Sequence, residues 1–218
     1  MPVCMSTLQD IEQEGYSATA RRRLTGGNRR FPHRLTFNRS DVARFRFETA
    51  KRMSISGVQD KLSLKLERGE LVPTDRDGEY ILKPVPSLEV PRFREDIPAN
   101  EHLTMQLASQ VFGIEVAVNA CVYFANGELA YLVRRFDRRN GEKVAQEDFC
   151  QLSNRSEETH GRNYKYDATY EECGRLLQRF CAAHAIEVEK LFRRILFCSV
   201  CSNGDAHLKN FSLRQTEY

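Results

Sequence analysis

The segment Asn203-Gly204-Asp205-Ala206-His207-Leu208-Lys209-Asn210-Phe211 gathers polar and ionisable groups straight after an apolar helical stretch. An Asp and an Asn five apart in a tight loop can converge on one point. Phosphoryl transfer needs a carboxylate there to accept the proton of the attacking hydroxyl, and an amide oxygen that can bind a magnesium ion. Asp205 and Asn210 have that D-x-x-x-x-N spacing, and His207 or Lys209 is placed to steady phosphates. The same spacing also suits a polar loop that ends a helix in Asx turns.

Three other segments have chemistry that would complete such a site. Lys83 ends the run Tyr80-Ile81-Leu82-Lys83, and Glu101 lies on the helix that follows. A strand-end lysine paired with a helix glutamate can hold the α- and β-phosphates of a nucleotide. Alone, such a lysine is usually a surface residue. Ser54-Ile55-Ser56-Gly57-Val58-Gln59 is a small-residue loop whose N–H groups could approach phosphates, or an ordinary strand-entry turn. Arg134-Arg135-Phe136-Asp137-Arg138 is a linker that could present backbone groups to adenine, or a plain charged connection. Loop, strand lysine, helix glutamate, linker and Asp–Asn loop follow one another in the order of a two-lobed kinase. Cys198-x-x-Cys201 has no second pair at zinc spacing and sits in an apolar helix, which predicts a core pair of thiols. His33, His102, His160, His184 and His207 show no metal spacing.

These groups need elements to position them. Leu62, Leu64 and Leu66 alternate with Ser63 and Lys65, predicting a half-buried strand. Asp77-Gly78 predicts a turn before a second strand that stops at Pro84. Leu103, Leu107 and Val111 recur every fourth residue, predicting a helix over Asn100 to Gly113 with that stripe as its apolar face. Asn126-Gly127 predicts a hairpin between strands at Val116–Phe124 and Leu129–Phe136. After Gly141 the pattern turns helical, starting at Gln146 to Leu152. A Thr169/Glu172 capping box opens a helix with Leu176, Leu177 and Phe180, and a second helix from Glu187 carries Leu191, Ile195, Leu196 and Val200. Phe211 and Leu213 predict a short final strand.

The chain has 218 residues, 29% charged and 41% hydrophobic, which excludes a disordered polymer. Its longest stretch without a charge, His102 to Ile114, is too short to span a bilayer, and no secretion signal is evident. Seven cysteines at irregular spacing predict free thiols in a reducing cytoplasm. Residues 1–52 hold eleven Lys and Arg against five Asp and Glu, while the remainder is net acidic. This basic end suits a polyanion, an acidic partner or a solvated surface.

The motifs Met53-Ser54-Ile55-Ser56-Gly57-Val58-Gln59-Asp60-Lys61-Leu62, Tyr80-Ile81-Leu82-Lys83-Pro84, Asn100-Glu101-His102, Arg135-Phe136-Asp137-Arg138, Gln146-Glu147-Asp148 and Asn203 to Phe211 resemble, in order, the HipA family of bacterial serine/threonine toxin kinases. The likeness is to its short, HipT-like branch. The resemblance implies an α+β, two-lobed protein-kinase-like fold, with an antiparallel-sheet N-lobe and an incomplete helical C-lobe. It divides the chain into a basic N-terminal segment (1–52), an N-lobe (53–138) and a partial C-lobe (139–218). It implies ATP and Mg2+ as cofactors. Ser56, Gly57, Val58, Gln59 and Lys61 would belong to the phosphate loop, and Lys83, with Glu101, would bind phosphates. Arg134, Arg135 and Phe136 would be the hinge, with Asp137 near the ribose. Asp205 would be the catalytic base, His207 a nucleotide contact and Asn210 a metal ligand. Ser54 and Ser56 would be autophosphorylation sites. The implied partners are a helix-turn-helix antitoxin and a protein substrate such as an aminoacyl-tRNA synthetase, with DNA reached only through the antitoxin and no membrane. The family hinge often has Glu where Arg134 stands. Its main magnesium ligand, the Asp of a Tyr-Asp or Phe-Asp motif, and several helices would follow the catalytic loop, but the sequence stops at Tyr218. The expectation is a truncated, weakly active or inactive form, or else a catalytically dead module that binds an antitoxin; a small-molecule phosphotransferase on the same fold is the third option.

Overall fold

A computed structural model describes residues 1–27, 29–49, 60–87, 92–139 and 142–215. The chain divides into two compact units, Met1–Gly141 and Glu142–Tyr218. The first is a mixed α/β unit built on an antiparallel sheet and the second is mainly helical, which is the α+β class expected from the sequence. No helix among the described residues is long and apolar enough to cross a membrane.

In the first unit, helices α1 (Ala18–Thr25) and α2 (Arg39–Thr49) precede strands β1 (Leu62–Glu67), β2 (Glu70–Pro73) and β3 (Tyr80–Pro84). Helix α3 (Ile97–Gln110) then leads to β4 (Asn119–Tyr123) and β5 (Leu129–Arg134). The strands form one antiparallel sheet in the order β2-β1-β3-β5-β4. Strand β2 has no counterpart among the elements that the sequence predicts. Its turn is Arg68-Gly69, both with positive φ, the geometry of a tight two-residue hairpin. The second hairpin turns at Asn126-Gly127, where the Phe124 N–H donates to the Glu128 carbonyl at 2.8 Å.

Alternation decides what each sheet face does. Leu62, Leu64, Tyr80, Leu82, Ala120, Val122, Ala130 and Leu132 point to one face and are buried against Cys4, Leu24, Phe31, Leu35 and Phe37. The basic N-terminal segment therefore shares the core of the sheet: Ser17 caps α1, Gly26 ends it in the left-handed region, and Ala20 and Leu24 turn inward. The Tyr80 hydroxyl donates to the Leu24 carbonyl at 2.9 Å, and burial raises its pKa to about 12.

Helix α3 corrects a sequence expectation. Leu103, Leu107 and Val111 do not form its buried face: they are exposed, and Val111 reaches 68%. The buried residues are Pro98, His102, Gln106 and Ala108. Hydrogen bonds to Asn119 reverse the helix, because His102 and Gln106 find partners there that compensate their burial.

The second unit contains α4 (Phe149–Leu152), α5 (Glu157–His160), α6 (Tyr170–Phe180) and α7 (His184–Val200). Capping boxes start α4 (Asp148/Gln151), α5 (Ser156/Thr159) and α6 (Thr169/Glu172), the last as expected. Residues Gln146–Asp148 form a strand rather than the start of a helix. They pair antiparallel with Ser212–Arg214, and the Phe149 N–H donates to the Phe211 carbonyl at 2.9 Å. Phe149, Cys150, Cys173, Leu177, Leu191 and Leu208 make the core. Cys198 and Cys201 are only half-buried, so they are not the core pair expected. Ile186, Phe192, Leu196 and Val200 leave an apolar face of α7 in solvent.

Candidate phosphoryl-transfer site

The candidate residues fall in both units. In the first, Lys83 is the fourth residue of β3, opposite Tyr131 of β5. Alternation with Tyr80 and Leu82 turns it to the sheet face that carries α3. Its Nζ donates to Glu101 Oε1 at 2.5 Å and lies 5.4 Å from the centroid of the Tyr131 ring. Both partners of this ion pair are about three-quarters buried. A cation over an aromatic face is held by the ring quadrupole as well as by the carboxylate. The Lys61 ammonium is pushed below its ordinary value, first by burial and then by the Lys83 charge, with Glu101 opposing. Two lysines and one carboxylate thus share a small, partly desolvated region suited to anionic oxygens. Ser54, Ser56, Gly57, Val58 and Gln59 lie outside the described residues.

The expected hinge has a structure of its own. The Arg134 N–H donates to the Val118 carbonyl and the Arg135 N–H to the Glu79 carbonyl, both at 2.8 Å. These two donors are therefore committed to the fold. The Arg134 guanidinium donates to the Arg23 carbonyl at 2.9 Å, at the carbonyl end of α1, where a cation complements the helix dipole. It also lies close over Gly26. Arg135 grips Asp137 bidentately, Nε to Oδ1 at 2.8 Å and Nη2 to Oδ2 at 2.6 Å, and Arg138 reaches Oδ2 at 3.3 Å. The Arg135 hydrogen bonds are the main cause that holds the Asp137 carboxyl below its usual range. Both its oxygens are engaged by arginines. Phe136, between them, exposes its ring.

In the second unit, Asp205 to Asn210 form a closed loop that ends in a 3-10 turn at Leu208–Asn210. Asn210 Nδ2 donates to the Asp205 carbonyl at 2.5 Å and to its carboxylate Oδ2 at 3.3 Å. With the amide nitrogen engaged, Asn210 Oδ1 is the atom left to face a cation. The Asp205 carboxylate is 71% exposed, open to an incoming hydroxyl. His207 is not: it is buried edge-on against Tyr166, ring centroids 4.9 Å apart, with Nε2 3.4 Å from Asp205 Oδ1. Lys209 Nζ donates to the Tyr164 hydroxyl at 3.4 Å, and that bond is the main cause that raises the lysine's pKa. Leu208 anchors the loop: its side chain enters the core and its N–H donates to the Lys165 carbonyl at 3.1 Å.

Sequence reasoning missed Tyr131, Tyr164, Tyr166 and the Arg138 contact. Tyr131 could have been found as the cross-strand partner of Lys83. The other two tyrosines lie in a polar loop whose path carries no periodic signal.

The HipA-like C-terminal domain matches residues 53–218. A Haemophilus influenzae protein named "Putative kinase" is 32% identical over 97% of this chain and 63% of its own length. A Sinorhizobium fredii protein named "Putative kinase Y4mE" is 37% identical over 74% of this chain and 38% of its own. The chain thus spans less than two thirds of the length of these relatives. A domain match that runs from the first expected loop through the Asp205–Asn210 turn, with the Lys83–Glu101 pair inside it, makes this chain a member of the HipA-like kinase family.

Proposed function

We propose that the chain carries the nucleotide-holding and catalytic-loop parts of an ATP-dependent serine/threonine protein kinase. The observation that carries this reading is the pairing of Lys83 with Glu101 in a family member that also closes Asp205 against Asn210. Lys83 holds the α- and β-phosphates, and Glu101 and the Tyr131 ring keep its ammonium in place. Asn210 Oδ1, with water, faces the metal. Magnesium bound with ATP supplies neutralisation of charge on the transferred phosphoryl. Asp205 accepts the hydroxyl proton as the serine or threonine oxygen bonds to the γ-phosphorus, and the bond to the β–γ bridging oxygen breaks to release ADP. His207, buried against Tyr166 with Nε2 beside Asp205 Oδ1, steadies that carboxylate in this scheme. Ser54 and Ser56 are the autophosphorylation sites of this scheme. Lys61 and residues 56–59 are the phosphate-loop residues of this scheme, and Arg134 to Asp137 its hinge and ribose residues. The partners are a helix-turn-helix antitoxin, through which DNA is met, and a protein target such as an aminoacyl-tRNA synthetase.

The test is fluorescent ATP binding with magnesium beside a radiolabelled transfer assay. Lys83→Met weakens binding tenfold or more. Asp205→Ala leaves binding intact and abolishes transfer. Transfer that survives Asp205→Ala, or binding indifferent to Lys83→Met, overturns the assignment. Binding without transfer in the unmodified chain favours the binding-module reading.

A further inference from the structure

We propose that Asn119, with His102 and Gln106, is a positioning element that fixes Glu101 against Lys83 and ties this pair to residues 5–7 at the N-terminus. Its functional weight rests on the kinase reading above; its geometry does not.

Glu101 and His102 are neighbours on α3, and Gln106 and Gln110 follow His102 at successive helical turns, on one side of the helix. Asn119 is the first residue of β4, on the same sheet face as Lys83 and Tyr131. Its Nδ2 donates to the Ala117 carbonyl at 2.7 Å, so its Oδ1 is the acceptor. Gln106 Nε2 donates to Oδ1 at 2.9 Å and His102 Nδ1 lies 2.8 Å from it. His102 must therefore carry its proton on Nδ1. His102, Gln106 and Asn119 are all buried.

The N-terminal residues close the arrangement from the other side. Ser6 Oγ donates to the Asn119 carbonyl at 2.7 Å, and the Cys121 N–H donates to the Met5 carbonyl at 2.7 Å. Gln110 Nε2 donates to the Thr7 carbonyl at 2.7 Å and to Gln106 Oε1 at 2.9 Å. Residues 5–7 are thus bonded to both the helix and the strand.

This matters because the apolar stripe of α3 points to solvent and offers no packing that would set the helix. An apolar contact tolerates sliding. Buried amides do not, since a small shift leaves several polar groups without partners. The Lys83–Glu101 bond, partly open to water, is a weak clamp by itself. The register of Glu101 comes from the Asn119 cluster one residue away.

The experiment is competitive acetylation of lysines with acetic anhydride in the folded 218-residue chain, read by peptide mass spectrometry. Glu101→Gln sets the scale by releasing Lys83, raising its labelling about fivefold. Gln106→Leu is expected to give at least half of that rise, Gln110→Leu and Ser6→Ala about twofold. Lys65, on β1, keeps its rate in all of them. In the Glu101→Gln background, Gln106→Leu adds nothing further. Folded Gln110→Leu and Ser6→Ala chains with Lys83 labelled as in the parent would overturn the proposal, even where Gln106→Leu fails to fold. A rise shared equally by Lys65, or one that persists without Glu101, would overturn it too, since that is general loosening. No nucleotide is used, so a chain that fails to bind ATP leaves this result standing.

Discussion

Asp137→Asn tests whether the arginine grip beside Phe136 holds the first unit together. Asp137 takes three charge-assisted contacts, and its side chain and those of Arg135 and Arg138 are only 14%, 17% and 22% exposed. Exposed ion pairs contribute about 0–1 kcal/mol. Breaking a buried pair costs about 3–5 kcal/mol, because the surviving charge is stranded. This cluster is mostly but not fully buried, and Asn keeps one acceptor, so the expected loss is about 2 kcal/mol. The Arg135 N–H also bonds the Glu79 carbonyl, so the loss should be felt where β3 and β5 meet. Hydrogen exchange is the assay: peptides covering 79–84 and 129–138 should exchange about 30-fold faster, with α6 peptides of the other unit as the internal control. Adding Arg135→Met should restore part of the protection, because no lone cation then remains beside the amide. A change below about threefold in the single variant, under ~0.7 kcal/mol, would refute the reasoning and make the grip a surface feature.

Burial holds His102 below its unfolded pKa, so as pH falls through about 6.5 the unfolded chain takes up the proton first. Stability should be intact above that pH and decline below it, by up to about 1.4 kcal/mol per pH unit; the stability gap between the parent and His102→Gln should narrow from pH 7.5 to 5.5, and a constant gap contradicts the assignment. A Cβ added at Gly78 would overlap Ser63 Oγ, a buried hydroxyl on β1. Gly78→Ala should therefore cost about 1–3 kcal/mol in urea unfolding, with partial recovery on adding Ser63→Ala; an undiminished midpoint is the adverse result. Phe192→Ser with Leu196→Ser, on the exposed face of α7, should reduce binding of a hydrophobic dye and light scattering while the thermal midpoint stays put, whereas a large drop in midpoint would show that the face is packed in solution.

Local chemistry was legible wherever one short segment determines the outcome. Asn126-Gly127 specifies its hairpin, and Thr169 with Glu172 its capping box, because each needs only neighbouring residues. Lys83 and Glu101 could be paired from sequence because a strand end and the next helix have few ways to meet. The orientation of α3 was not legible, since Leu103, Leu107 and Val111 give the stronger apolar signal while Asn119, which decides the matter, comes after the helix has ended. Strand β2 was passed over because its evidence is a turn, Arg68-Gly69, rather than a long alternation. Gln146 to Asp148 read as helical because the partner that makes them a strand lies at Ser212–Arg214. The sequence offers His207 to phosphates; its burial was not legible because the Tyr166 ring that covers it comes from a distant turn.

The pairing of Asp148 with Ser212 sets the order in which the machinery is made. A ribosome adds about 5–20 residues per second and N-terminal units fold first. The Lys83–Glu101 pair and its sheet can therefore form while the second unit is still being translated. The Asp205–Asn210 turn has its far anchor in Ser212–Arg214, which must wait for those residues to emerge and return to Gln146–Asp148, synthesised roughly 3 to 13 seconds earlier at that rate. For that interval a nascent chain has Lys83 paired with Glu101 while the segment carrying Asp205 and Asn210 still lacks its strand anchor.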